Sequence, residues 1–459
     1  MAGYQFSTQP VKVKKIETKH RTIKTEIPCA GTAEFIKEIE KFESRSMHGQ
    51  LPIIWDRAEN FNVYDKAGNK WIDFTSTIFV TNTGHANPHI LKRMQQVLDH
   101  KLLHTYAYLS QIRLDYLKKL IEMSPPELEK AFLLSAGTET TEAAVKLMRL
   151  HGQEITKKKQ PGIIAFTGNW HGRTMGAQLL SSNESQKRWI GFRDPHIHHL
   201  PFPYEKELKN QDPKEFWKQS LQSLKEKGID PTTDITGMML ETFQGWGALF
   251  YPKAFVQEIR RYCDENNVLL CFDEMQAGFA RTGKMFGYEH YGVKADLICV
   301  GKGMGGGLPI SGVLGKKTVM DLPPIGDMSS THSANPLVCA GALGVLEEIE
   351  GKRLVEETMR KGLILHKRLN EIRTKYPQVI SAIHGHGLLA AVHFGTNGQP
   401  ESALPSHVSE RCMQKGLLVV HTGRESIKLA PPLTIDDDAL IEGIDVLEQS
   451  IGECLHERN

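Results

Sequence analysis

Two side chains have the type and placement for carbonyl chemistry, Lys302 and Asp273. Lys302 lies between Gly301 and Gly303, just after the short apolar run Leu297 to Val300. Asp273 and Glu274 follow a second run, Val268 to Phe272. Short apolar runs bounded by polar residues read as parallel strands buried on both faces. The lysine and the acid then stand at the carboxyl ends of such strands, the edge at which open α/β sheets bind ligands. A partly neutral lysine amine captures carbonyl groups. The pattern therefore suggests a lysine–aldehyde cofactor site with Asp273 as its electrostatic partner. Plainer readings stay open: an acid at a strand end can be a helix cap or a surface charge, and Gly-Lys-Gly can be an ordinary loop. Gly301, Gly303 and Gly306 also match the G-x-G-x-x-G dinucleotide fingerprint. That fingerprint must open a helix, whereas Gly307, Leu308, Pro309 and the strand-like Ile310 to Leu314 follow here.

Other stretches could complete such a site. Phe132 to Leu134 leads into Ser135-Ala136-Gly137-Thr138-Glu139 and then a helical pattern. Free N–H groups and the positive end of a helix make such a start an anion cradle, with Thr138 as a simple cap as the alternative. Ile163 to Phe166 precedes Asn169-Trp170-His171-Gly172-Arg173-Thr174. Trp170 could stack on a planar ring and Arg173 could fork an anionic group, unless this is only a surface loop. Ile235 to Leu240 ends on Glu241, and Gln244-Gly245-Trp246-Gly247 follows at the same sheet edge. His85, in the loop Ser76 to Pro88, is read as a histidine bonded to backbone rather than a ligand or base. Asp194-Pro195-His196-Ile197-His198-His199 lacks a third committed ligand, so no metal site is assigned.

The elements that must position these residues are those of an α/β protein. The 459 residues, 40% hydrophobic, suffice for one large α/β domain and a smaller one. A net charge of +2 gives no electrostatic case for nucleic acid. Seven scattered cysteines without a C-x-x-C pair fit reduced thiols in the cytoplasm. No apolar run is long enough for a membrane span, and no signal-peptide core is evident. Gly31 to Ser44 predicts a helix, and residues from about Gly351 onward predict a separate α+β domain.

Taken together, the spaced motifs resemble those of the class-III pyridoxal-phosphate aminotransferases, the group of the 4-aminobutyrate and ornithine enzymes. The resemblance spans about Ile53 to Leu447 and is strongest at DEMQAGFARTG, Asp273 to Gly283, followed by GKGMGGGLP. It implies a fold-type-I transferase: a large domain with a mostly parallel seven-stranded sheet plus a smaller α+β domain. Residues 1–80 would join the small domain, 81–345 would form the large pyridoxal-phosphate domain, and 346–459 would form the C-terminal small domain. It implies pyridoxal 5'-phosphate as cofactor, small amine and keto-acid substrates, a ping-pong reaction, and a homodimer with its site at the interface, with a tetramer left open. By the same resemblance, Lys302 would hold the cofactor and move the proton. Asp273 would pair with the ring nitrogen and Gln276 would bond the ring's phenolic oxygen. Gly137 and Thr138 would hold the phosphate, with Thr331 reaching the phosphate of the other subunit. Trp170 would stack on the ring, and His171 and Glu241 would border the cofactor. Arg173 would grip a distal carboxylate, and Ile78 would line the substrate pocket across the dimer.

Two departures from the family pattern stand out. Members that use 2-oxoglutarate often carry an acid where this chain has Trp246, and an arginine where it has Lys428 in IKLAPPL. Lysine lacks the bidentate fork of arginine. The changes suggest a larger, more apolar amine pocket, or a different keto acid such as pyruvate in place of 2-oxoglutarate. Two rival functions are an amino-acid racemase or aminomutase on the same scaffold, and a non-catalytic protein that kept the fold. A tryptophan cannot transfer the proton that a second racemase acid would. Asp273, Gln276 and Lys302 together speak against loss of catalysis.

Overall fold

A computed structural model describes residues 4–47, 49–396 and 398–458. The chain divides into two compact units, one of residues 88–245 and 249–355, the other of residues 1–87, 246–248 and 356–459.

The first unit is built on a seven-stranded sheet. Its strands are β1 (Lys130–Leu134), β2 (Gly162–Phe166), β3 (Ile197–Leu200), β4 (Ile235–Glu241), β5 (Leu269–Asp273), β6 (Leu297–Val300) and β7 (Ser311–Gly315). Their spatial order is β1-β7-β6-β5-β4-β2-β3. Pairings from β6 to β3 are parallel, and β7 runs antiparallel to both β6 and β1. The sheet is thus mostly parallel. β2, β4, β5, β6 and β7 are buried along their whole length, because helices cover both faces of such a sheet. One face packs Leu147 and Met148 of helix α1 (Gly137–Thr156) with Ile163, Met239, Cys271, Cys299 and Val313. Helix α2 (Lys253–Asn266) buries Phe255, Val256 and Ile259. Asp273 proves to be the last residue of β5, in register with Glu241 on β4 and Cys299 on β6.

The second unit combines the two ends of the chain. Lys70–Asp73 pairs antiparallel with Asn62–Tyr64 and, at Thr22, with Thr22–Ile23, and in parallel with Leu417–Leu418. A separate sheet runs Ile380–His384, Ala390–Thr396, Ser426–Leu429, Val420–His421. The predicted N-terminal helix covers only Thr32–Ile39, and its Phe35 faces solvent. His85 bonds the buried Asp73 carboxylate at 2.8 Å as well as meeting Asn60 through its backbone. Ser76 to Phe79, expected as a loop, form one left-handed turn with φ between 45° and 69°. Among the described residues, no helix is long and apolar enough to cross a membrane, and no group of three or more His, Cys, Asp or Glu could hold a metal ion.

Candidate active site

The carboxyl edge of β4, β5 and β6 carries Glu241, Asp273 and, two residues past the end of β6, Lys302. Lys302 adopts φ 46°, a left-handed conformation that costs a non-glycine residue about 1–2 kcal/mol. Such strain concentrates at functional sites. Burial is the largest influence on its amine and pulls the pKa below the ordinary lysine value. The negative charges of Asp273 and Glu241 oppose that shift without cancelling it. An amine in this state is closer to nucleophilic than a surface lysine.

Asp273 is fixed by two bonds. Oδ1 accepts from the Met275 N–H at 3.1 Å, and Oδ2 lies 2.9 Å from Nδ1 of His171. Both side chains are almost fully buried. His171 is held in turn: its N–H donates to Ser181 Oγ at 2.8 Å, and its carbonyl accepts from Thr141 Oγ1 at 2.9 Å. Its Nε2 is buried without a protein partner. Glu241 is buried as well and accepts from the Trp170 and Gly245 N–H groups at 2.9 and 3.2 Å. Burial, and then the charge of Asp273, push its pKa up to about 8. The neighbouring Glu274 is tied to Thr242 Oγ1 and to the Gly287 and Tyr288 N–H groups, and burial pushes it up to about 7.

The start of α1 completes this edge. Thr138 is not the cap; Ala136 takes the cap position, and Glu139 accepts from the Ser135 and Ala136 N–H groups. Thr138 Oγ1 instead lies 2.6 Å from Thr174 Oγ1. This leaves the first-turn N–H groups of a 20-residue helix for an anion. Met275 joins the helix start to the lysine turn. Its Sδ would lie 2.8 Å from a Cβ on Gly137 and 2.6 Å from one on Gly301, so a side chain at either position would displace Met275. The Arg173 guanidinium, exposed, stacks 4.6 Å from the Trp170 ring centroid.

The structure thus assembles Lys302, Asp273, His171, Glu241 and Trp170 through contacts and charge. Gln276 packs its amide against Gly245. Thr331 stands apart, exposed, with its carbonyl 2.8 Å from His104 Nε2. Ile78, Trp246 and Lys428 belong to the other unit. There the Lys428 ammonium lies 4.6 Å from the Phe79 ring centroid, and the Arg424 guanidinium stacks 3.6 Å from that of Trp246. Sequence reasoning missed the Met275 wedge, the Thr138–Thr174 pair and Arg424. Methionine and threonine carry no spacing signal, and Arg424 meets Trp246 only through the fold.

These residues fit pyridoxal phosphate. The buried amine, the acid–histidine pair with one unpartnered ring nitrogen, and the glycine-lined helix start offer an aldehyde partner, a polar ring partner and a phosphate cradle.

An architecture with a lysine at the carboxyl edge of a mostly parallel sheet belongs to the fold-type-I pyridoxal-phosphate enzymes, and the sequence narrows this further. The model of the class-III aminotransferases matches residues 44–451. The mitochondrial acetylornithine aminotransferase of Saccharomyces cerevisiae is 32% identical over 86% of this chain and 90% of its own. The 5-aminovalerate aminotransferase of Pseudomonas aeruginosa is 33% identical over 88% and 95%. The solved acetylornithine aminotransferase of Elizabethkingia anophelis superposes with a TM-score of 0.77 at 29% identity, over 92% and 99% of the two chains. This chain belongs to the class-III aminotransferases. It is accordingly a transaminase with pyridoxal phosphate as its cofactor.

Proposed function

We propose that this transaminase takes nitrogen from a primary amine or amino acid and delivers it to a keto acid in two half-reactions. When bound, pyridoxal phosphate supplies an aldehyde that condenses with amines and a ring that withdraws electrons. Lys302 holds it through Nζ. The Lys302 Nζ, as a free amine, would take a proton from the substrate carbon that bears the nitrogen and would give one back. Asp273, oriented by His171, would pair with the ring nitrogen. Gln276 would bond the phenolic oxygen, Trp170 would cover the ring, and Gly137 and Thr138 would hold the phosphate at the start of α1.

The relatives' names point to the donor class. Acetylornithine and 5-aminovalerate each carry a primary amine at the end of an aliphatic chain that bears a carboxylate. Arg173, exposed and stacked on Trp170, suits that distal carboxylate. Trp246 and Lys428 favour a monocarboxylic keto acid such as pyruvate over 2-oxoglutarate, because lysine offers a point charge where a fork would grip a carboxylate. The protein works as a homodimer, with Thr331 and Ile78 serving the partner's site. The exposed Tyr108, Leu109 and Ile325 support an apolar contact of that kind. Seven free cysteines, six of them buried, support a reducing, cytoplasmic setting.

The observation that carries the reading is the buried Lys302 amine beside Asp273 and Glu241. A screen of ω-amino acids and simple amines against pyruvate and 2-oxoglutarate tests it. Turnover should require both a donor and a keto acid. Conversion of an amino acid alone would replace transfer by isomerisation.

A further inference from the structure

The strands place a second acid where one would serve. Asp273 alone answers for the cofactor ring, and yet Glu241 sits beside it, in register on the adjacent strand and just as buried. Its two oxygens do different tasks. Oε2 accepts from the N–H of Trp170, the residue that would cover the ring. Oε1 accepts from the N–H of Gly245, the residue before Trp246. A Cβ at Gly245 would meet the Gln276 amide and lie 2.9 Å from Glu241 Oε1, so any side chain there would displace both groups. One carboxyl thus joins two loops, and the Gln276 amide packs against the second of them.

Resting on the transaminase reading above, we propose that Glu241 is a positioning residue that ties the Trp170 loop to the Gly245 turn and acts with Asp273 on the charge of Lys302. The groups facing it are Asp273, Lys302 and Tyr251. Below about pH 8 Glu241 keeps its proton, and only Asp273 opposes the neutral state of the Lys302 amine. Above that pH a second negative charge appears and favours a protonated nitrogen at position 302. A glutamine at 241 lacks this charge at every pH. Its amide NH₂ also cannot accept from both loops.

The test is a pH titration of the visible absorbance of the bound cofactor in the full-length holoenzyme, with wild type, Glu241→Gln and Glu241→Asp side by side. Wild type should titrate with an upper limb that Glu241→Gln lacks, its midpoint moving down by about 1 pH unit. Glu241→Asp, which restores a carboxyl, should recover the limb in part. Glu241→Gln should also release cofactor faster on dilution, since the Trp170 loop loses a tie. A Glu241→Gln titration that superimposes on wild type overturns the proposal. If the variant does not fold, wild type alone decides, because a single-limb titration between pH 7 and 9 is equally fatal. None of these outcomes touches the transaminase reading, which is tested separately by whether turnover needs both a donor and a keto acid.

Discussion

The two ends of β4, β5 and β6 hold buried charges of opposite character. At the amino end, Asp296 precedes β6 with only 3% of its surface exposed. Arg260 of α2 lies 2.7 Å from it, Lys316 bonds its other oxygen, and the Leu270 N–H donates at 2.8 Å. Burial alone would raise the pKa of Asp296, but these partners outweigh it and hold the acid below the usual carboxylate range. At the carboxyl end Glu241 is as buried as Asp296 but meets fewer compensating partners. Glu241 is pushed up to about 8 and Lys302 is pulled down. The sheet and its depth are shared, so the difference lies in charge balance. Paired charges stabilise a fold end, whereas a surplus of acid around a desolvated amine keeps protons ready to move.

The sharpest way to break this contrast is at the lysine. Lys302→Ala should remove the visible absorbance of the linked cofactor and lower turnover by about 10⁴-fold or more, as loss of a proton-transfer group does. Its thermal stability should change little, and a large fall would mean that this end is structural after all. Asp273→Asn should lower kcat by about 10²–10³-fold, as loss of a preorganised electrostatic partner does, measured under saturating cofactor. The opposite end should answer in stability. Asp296→Ala removes the acceptor shared by Arg260, Lys316 and the Leu270 N–H, while Asp264 still pairs with Arg260, and should cost about 1–3 kcal/mol in denaturant unfolding, with the cofactor spectrum unchanged.

The pH dependence sharpens the comparison further. The folded pKa of Asp296 is depressed, so its contribution is complete above the unfolded value near ~4 and is lost as pH falls through the folded value. The folded pKa of Glu241 is raised, so stability falls as pH rises from the unfolded value near ~4.3 towards 8. Glu241→Gln should flatten the stability curve over that window only. Denaturation midpoints measured from about pH 2 to 9 separate the two acids, Asp296 acting below about pH 4 and Glu241 above it. The smallest effect belongs to the other unit: Lys428→Ala should raise KM for the keto acid by about tenfold or less, and unchanged kinetics would remove the carboxylate role from that residue.

Much of the carboxyl edge was legible because its signals are local. Four or five apolar residues followed by an acid, or by Gly-Lys-Gly, mark strand ends whatever the rest of the chain does. β6 fell where it was predicted, and β2, β4 and β5 within one residue. Other readings failed where contacts join distant segments. The alternative of Thr138 as a simple cap gives way, because Glu139 accepts from the Ser135 and Ala136 N–H groups and the Thr138 hydroxyl meets Thr174. His85 looked like a backbone-bonded histidine, but strand pairing brings Asp73 to its ring. Ser76 to Phe79 carry no glycine, and nothing in their types announces a left-handed turn.

The sequence by itself determined the strand ends, the lysine, its acid and, through spaced motifs, the family, because residue type and short-range spacing are enough for these. Only the tertiary structure decided that His171 orients Asp273, that Met275 packs against both Gly137 and Gly301, and that Glu241 joins two loops. Those facts depend on which strands become neighbours and how deep their ends lie, and burial and proximity are properties of the packed chain.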